Sequence, residues 1–275
     1  MKCVIKADGT KQAYDRDRVM RTARNYGVPE DFVIEVAEDV ERHLYDEIRT
    51  RDILRMVHTF SRKYHPRVED RTNVRQAIGI LGPKPDFELY VHALLKGSGY
   101  EVGEGRILQG RCGEHEVDAI ARKDGITYFV EVKHHRNHHR VTGLDEGRIA
   151  RAIVEDVQEG YKEGRNSFTI DKAMIVTNTK LSAHAKRYAS CWDIKHIGWD
   201  FPEEENIASM VSNRSLCPIT ILKGVNACTQ KGLLDAKIVT VGQLLGESPS
   251  EIAKRSGIPE NEISQLRDRA KKMET

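Results

Sequence analysis

"HEVDAIARKDGITYFVEVK", residues 115–133, is the stretch on which the fold turns. Apolar and ionisable side chains alternate on both sides of Asp124-Gly125, a pair suited to a two-residue hairpin loop because both residue types tolerate positive φ. That loop pairs Lys123 with Ile126, and counting outward sets Asp118 opposite Glu131 and Glu116 opposite Lys133. Val117, Ala119 and Ala121 then share a core face with Tyr128, Val130 and Val132, and the opposite face carries the charge. Opposed carboxylates destabilise a sheet by up to roughly 1 kcal/mol when exposed and by more when desolvated, so they call for compensation. A divalent cation supplies it. Carboxylate, water and phosphate oxygens are the ligands Mg²⁺ prefers, and Lys133 would position or activate a water or steady charge developing on a phosphate. The alternative left open is a solvated charged face, with Glu116 and Lys133 as a simple cross-strand ion pair.

Working outward, a helix over FELYVHALLKGSG (87–99) precedes this hairpin. A long helix around 145–162, a strand in KAMIVTNT, a helix in SAHAKRYASC and a strand in DIKHIGW come after it. That order is a mixed α/β domain. On the N-terminal side, "LGPKPD" (81–86) places one glycine and two prolines between periodic segments and reads as a linker. Residues 2–14 form two short strands around Asp8-Gly9, and Asp15 starts a helix. Further helices are expected from Pro29 to about Tyr45, from Thr50 to about Tyr64 and from Pro66 to about Leu81. After Trp199, DFPEEEN opens a short helix, and from Pro218 only short helices and tight turns remain. The expectation is an α/β multi-domain chain divided into 1–82, 83–209 and a small all-α segment, 210–275.

Glu88 in DFELYVHALLKGSGYEV, Asp118 in EVDAIA and Glu131-Val132-Lys133 resemble the PD-(D/E)xK nuclease pattern of the Mrr-like restriction-endonuclease fold. KAMIVTNTKLSAHAKRYASCWDIKHIG is similar to the part that closes that domain, so the resemblance covers roughly 85–200. It implies that Asp118 and Glu131 bind Mg²⁺ or Mn²⁺, that Lys133 assists the attacking water, and that Glu88 supports the metal. Gln158, on the long helix, is the counterpart of an active-site glutamine in some members. The approach to the aspartate, QGRCGEHEVD, departs from the usual glycine-rich form.

The first segment resembles the ATP-cone through CVIKADGTKQAYDRDRVMRTA. The resemblance implies that Lys6 and Arg18 hold phosphates, that Thr50 lines the site, and that ATP or a related nucleotide acts as regulator. Ala7 and Leu54 depart from the family pattern, and no Walker A loop (GxxxxGK[ST]) is present to house a hydrolysed triphosphate. The last segment resembles helix-hairpin-helix domains in ILKGVNACTQKGLLDAKIVTVGQLL and EIAKRSGIPENEISQLRDRAKKM. Lys223, Gly224, Val225, Lys254, Ser256 and Gly257 would there offer N–H groups and charge to a DNA phosphate, or the module would bind protein instead.

His134, His135, Arg136, His138, His139 and Arg140 lie just beyond the second strand of the hairpin. Adjacent histidines on an extended segment point in opposite directions, and no cysteine or carboxylate spacing completes a zinc tetrahedron. They are expected to contact phosphates or to form a solvated loop. Lysine and arginine total 44 against 42 acids, so the chain is no polycation and any nucleic-acid surface is local. Five scattered cysteines suit a reducing compartment. The start MKCVIKADGTK has no signal-peptide core, and no run is apolar enough to span a membrane, so the cytoplasm is expected. The combined expectation is a nucleotide-regulated, metal-dependent DNA endonuclease, with pairing of two copies left open. Its rival is a nucleotide-responsive DNA-binding regulator with an inactive nuclease core.

Overall fold

The computed structural model describes residues 2–6, 9–26, 28–64 and 74–274. The expected Asp8 turn position, Ala7 and the helix stretch 66–73 lie outside them. The chain divides into two compact units, Met1–Val74 and Arg75–Thr275.

In the first unit, β1 (Cys3–Ile5) pairs antiparallel with β2 (Lys11–Ala13), and Gly9 takes φ 83° in the turn between them. α1 (Arg16–Asn25) starts where the Asp15 carboxylate accepts the Arg18 N–H, 3.2 Å. α2 (Glu30–Arg42) comes after Pro29, and α3 (Thr50–Tyr64) after β3 (Ile48–Arg49), a short strand that lies parallel to β1 and that periodicity did not reveal. Val33, Val36, Ala37 and Val40 of α2 are fully buried against Val19, Ala23 and Val57 of the flanking helices.

The second unit begins at Arg75, within α4 (Val74–Ile80), and so ahead of the glycine-proline stretch. The Ala77 carbonyl accepts from Thr220 (2.7 Å) and the Ile78 carbonyl faces His134 Nε2 (3.2 Å), two contacts that tie α4 to the α/β unit. α5 (Glu88–Gly97) leads into a five-stranded sheet of β4 (Glu101–Gln109), β5 (Glu114–Lys123), β6 (Ile126–Lys133), β8 (Lys172–Thr177) and β10 (Lys195–Ile197), in the order β10-β8-β6-β5-β4. The first three strands are antiparallel, and β6, β8 and β10 are parallel. α6 (Asp145–Lys162) and α7 (Ala183–Cys191) make the crossovers, while β7 (Val141–Thr142) and β9 (Lys180–Leu181) form a small parallel pair. Ile120, Phe129, Ala173 and Ile175 pack against Ala150, Val154 and Val157 of α6, and Phe129 alone contributes about 1.5–3 kcal/mol by its burial.

α8 (Ile207–Met210), α9 (Ala227–Asp235), α10 (Val241–Gly246), α11 (Pro249–Ser256) and α12 (Glu260–Glu274) complete the chain. They fold as part of the second unit: the Tyr90 hydroxyl donates to the Leu216 carbonyl, 3.0 Å, and a Cβ at Gly97 would meet the Leu216 side chain at 2.5 Å.

Candidate active site

Asp124 (φ 52°) and Gly125 (φ 78°) make the expected two-residue loop, and the register runs from Lys123↔Ile126 to Ala119↔Val130 as counted from the sequence. There the β5–β6 ladder ends, one pair short of the two acids. Asp118 Oδ2 instead accepts the Val132 N–H at 2.7 Å, its carboxylate standing in for the missing backbone acceptor. Glu116 does not meet Lys133; it pairs with Lys84 at 2.5 Å.

The alternation of faces also breaks here. Val117 and Ile120, three positions apart, belong to the same core against α6, where strict alternation would put them on opposite sides. The break falls at Asp118-Ala119, and Gly105 of β4 lies against it: a Cβ there would sit 2.7 Å from the Val117 carbonyl oxygen and 2.8 Å from that of Asp118. The expectation of one core face and one chemical face is therefore corrected. Ile120 and Phe129, on the expected charged face, are core, and only the strand ends carry chemistry.

Two groups of charges converge on this gap. On one side Lys84 Nζ lies 3.3 Å from Glu88, 2.5 Å from Glu116 and 3.7 Å from Asp118. Glu88 and Asp118 are within hydrogen-bonding reach, and burial, followed by the Asp118 charge, raises the Glu88 carboxyl above its ordinary value. On the other side Lys133 Nζ lies 2.8 Å from Glu131 and 3.4 Å from Glu146 in the first turn of α6. Burial raises Glu131, with the charges of Asp118 and Glu146 adding to it. For Lys133, burial works to lower the pKa, but Glu131 and Glu146 outweigh it, so the ammonium is held protonated. A protonated Lys133 is suited to steadying negative charge and unsuited to abstracting a proton.

Lys84 and Glu146 were not anticipated. Lys84 sits inside a stretch that reads as linker, although its spacing of four from Glu88 is a usable signal, and Glu146 looks like an ordinary acid at a helix start. Gln158 is elsewhere: it donates to the Ile170 (2.8 Å) and Asp171 (3.3 Å) carbonyls, about 18 Å along α6 from Glu146. Asp118, Glu88 and Glu131 fit a divalent ion by chemistry, being hard carboxylate donors, with Glu88 and Glu131 both raised in part by the charge of Asp118, and Glu88 and Asp118 line an open cleft of about 470 Å³. Among the described residues, no three His, Cys, Asp or Glu side chains are already gathered around one point.

The histidine run is tied inward at its start. His134 packs on Phe87, ring centroids 4.9 Å apart, and the His135 N–H and C=O both bond the Asn178 side chain (2.9 and 2.8 Å). Burial lowers the pKa of His134, His135 and His139 and brings His138 to about 4, which favours the neutral rings. Arg136 and Arg140 are exposed.

In the C-terminal segment two of the expected N–H donors are engaged within the chain, Val225 to Leu222 O (3.3 Å) and Gly257 to Ala253 O (2.9 Å), and the Ser256 hydroxyl oxygen accepts the Ile258 N–H (3.2 Å). Gly224 is favoured by its φ of 95°, a left-handed backbone that L side chains rarely adopt, and the Arg269 guanidinium, which donates to the Lys223 carbonyl, fills the space beside it. Lys254 is exposed. In the first unit the Thr50 hydroxyl donates to the Ile5 carbonyl (3.4 Å), which puts it beside Lys6. Arg18 is engaged with Asp15 (3.1 Å) and Gln12 (3.2 Å).

A mixed sheet flanked by α5 and α6, with Asp118 and Glu131-x-Lys133 at its opening ladder, defines a restriction-endonuclease-like domain, and the family described as Restriction endonuclease, Mrr_cat, matches residues 83–197. Residues 217–274 match the family described as AF1548-like, C-terminal. An uncharacterized protein of Archaeoglobus fulgidus is 41% identical over 130 residues, which is 47% of this chain and 70% of that protein. A crystal structure described as protein of unknown function AF1548 superimposes with a TM-score of 0.58 at 33% identity, covering 68% of this chain and 95% of that one. The chain belongs to the AF1548-like family. Among the described residues no helix is long and apolar enough to cross a membrane.

Proposed function

We propose that this protein is a divalent-metal-dependent endonuclease acting on DNA. The observation that carries the reading is the convergence of Glu88, Asp118, Glu131 and Lys133 where the β5–β6 ladder opens. Asp118 and Glu131 would hold Mg²⁺ or Mn²⁺, with Glu88 supporting Asp118. The bound ion would supply charge neutralisation and a more acidic water for in-line attack on a phosphodiester. Lys133, kept protonated and oriented by Glu131 and Glu146, steadies charge gathering on the phosphate. Gln158 has no part in this step. Nucleotide binding by the first unit, through Lys6, Arg18 and Thr50, would act as regulation, since phosphodiester hydrolysis needs no fuel.

The rival reading, a DNA-binding regulator with a silent core, draws on one observation: Lys84 already occupies the midst of Glu88, Glu116 and Asp118. The deciding experiment incubates the purified chain with single-stranded, duplex and branched DNA and with RNA, with and without Mg²⁺, Mn²⁺ and ATP, beside Asp118→Asn. Metal-dependent cleavage that Asp118→Asn lacks supports the enzyme. Binding of DNA with no cleavage of any substrate supports the regulator.

A further inference from the structure

Lys84 is carried on a short, well-braced turn. The Gly82 N–H donates to Asp86 Oδ2 (3.0 Å), the Phe87 N–H donates back to the Gly82 carbonyl (3.0 Å), and Gln230 of α9 donates to the same Asp86 oxygen (3.4 Å). The backbone at Lys84 is thereby held on both sides, while its side chain is half exposed, 54%, and able to swing. From this perch the ammonium reaches three carboxylates on two elements, Glu88 of α5 and Glu116 and Asp118 of β5. It also lines the cleft of about 470 Å³ that opens from Asp118, together with Lys96 of α5 and Lys237 of the α9–α10 turn. Lys237 is paired only loosely, 3.8 Å from Glu104, with both side chains exposed.

A single positive charge amid three acids does part of what a divalent ion does: it compensates their mutual repulsion. The two cannot share the space equally, because each neutralises the same oxygens and they repel one another. We propose that Lys84 is the resident cation of the site. With no metal bound it holds Glu88, Glu116 and Asp118 together, and a divalent ion binds Asp118 by displacing the ammonium into the cleft, where Lys96 and Lys237 already stand and where substrate phosphate is met. Lys84 thus sets how much metal the protein needs, and it couples metal binding to the appearance of a mobile positive charge on the substrate side. The inference rests on the metal-dependent reading of the site.

The test measures Mn²⁺ binding to the full-length chain without nucleic acid, following the loss of the free-ion EPR signal, for the parent, Lys84→Met, Lys84→Arg and Asp118→Asn. Removing the competing charge in Lys84→Met is expected to tighten Mn²⁺ binding roughly threefold to tenfold, with Lys84→Arg close to the parent. In the parent, acylation of Lys84 by an amine-reactive reagent, read by mass spectrometry, is expected to rise as Mn²⁺ saturates the site. This second readout stands even if Lys84→Met folds poorly. Unchanged or weaker Mn²⁺ binding by a folded Lys84→Met, or Lys84 labelling indifferent to Mn²⁺, overturns the proposal and leaves the nuclease reading standing. Equal Mn²⁺ binding by parent and Asp118→Asn removes the metal site itself, and both readings fall together.

Discussion

Replacing Asp118 with asparagine should make the metal-free protein more stable, and replacing it with alanine should make it less so. Asp118 has two jobs that the substitutions separate. Its Oδ2 is the acceptor for the Val132 N–H at 2.7 Å, and its charge raises both Glu88 and Glu131. Asparagine keeps an acceptor oxygen and removes the charge. Relief of like-charge repulsion is worth about 0.2–1 kcal/mol, reduced by loss of the Lys84 contact at 3.7 Å. For a unit spanning Arg75–Thr275 each kcal/mol moves Tm by about 2–4 °C, so Asp118→Asn should melt up to about 4 °C above the parent. Alanine leaves the Val132 amide without a partner, at a cost of about 1–3 kcal/mol, and should melt well below Asp118→Asn. Adding Mn²⁺ at about a hundred times its Kd should stabilise the parent by about 2.7 kcal/mol and do little for either variant. Thermal melts of the three proteins with and without Mn²⁺ check each of these outcomes. Equal destabilisation by asparagine and alanine, or equal Mn²⁺ stabilisation of all three, would refute the reasoning.

Glu88 has a folded pKa raised above its ordinary value of 4.5, chiefly by burial, so its charge is a penalty present above the folded pKa and absent below 4.5. Glu88→Gln should therefore be more stable than the parent near pH 7.5, by a margin that closes as pH falls toward 4.5; urea midpoints across that range measure it, and a margin independent of pH counts against the assignment. His196 is buried with neither ring nitrogen partnered among the described residues, and burial lowers it from 6.5 to about 4. The unfolded chain takes up that proton first, so the parent loses stability as pH falls from 6.5 toward 4. His196→Leu should be about 1–2 kcal/mol more stable at pH 7 and less sensitive over that window, and a loss of stability in the variant would show the ring to be satisfied. Gly105→Ala must push against two carbonyl oxygens at the sheet's break, costing about 1–3 kcal/mol and displacing Asp118. Cleavage and Mn²⁺ binding should fall further than the Tm implies, and normal activity in a folded Gly105→Ala would mean the break does not position the acid.

What was legible from the residues was whatever rests on local rules. Asp124-Gly125 dictated the loop and hence the register through Ala119↔Val130, and Asp15 announced its helix, whose third N–H its carboxylate accepts. What was not legible depends on the chain departing from those rules. Alternation cannot reveal its own interruption, so Asp118 was counted onto a regular ladder that the structure ends just before reaching it; the one trace left in the sequence was Gly105 on the neighbouring strand, a glycine with no turn to make. Long-range charge pairing was equally hidden. Lys133 found Glu146 beyond the loop that leads into α6, and Lys84 found Glu116 and Asp118 on β5, across all of α5 and β4. The inward contacts of the histidine run were hidden for a related reason: Phe87, the Ile78 carbonyl and Asn178, all distant in sequence, use its start as packing and as a brace for the loop. Where an acid sits at the point at which regular structure stops, its neighbours are supplied by tertiary contacts, and so the catalytic reading of this chain turns on Lys84 and Glu146 as much as on the motif that first drew attention to it.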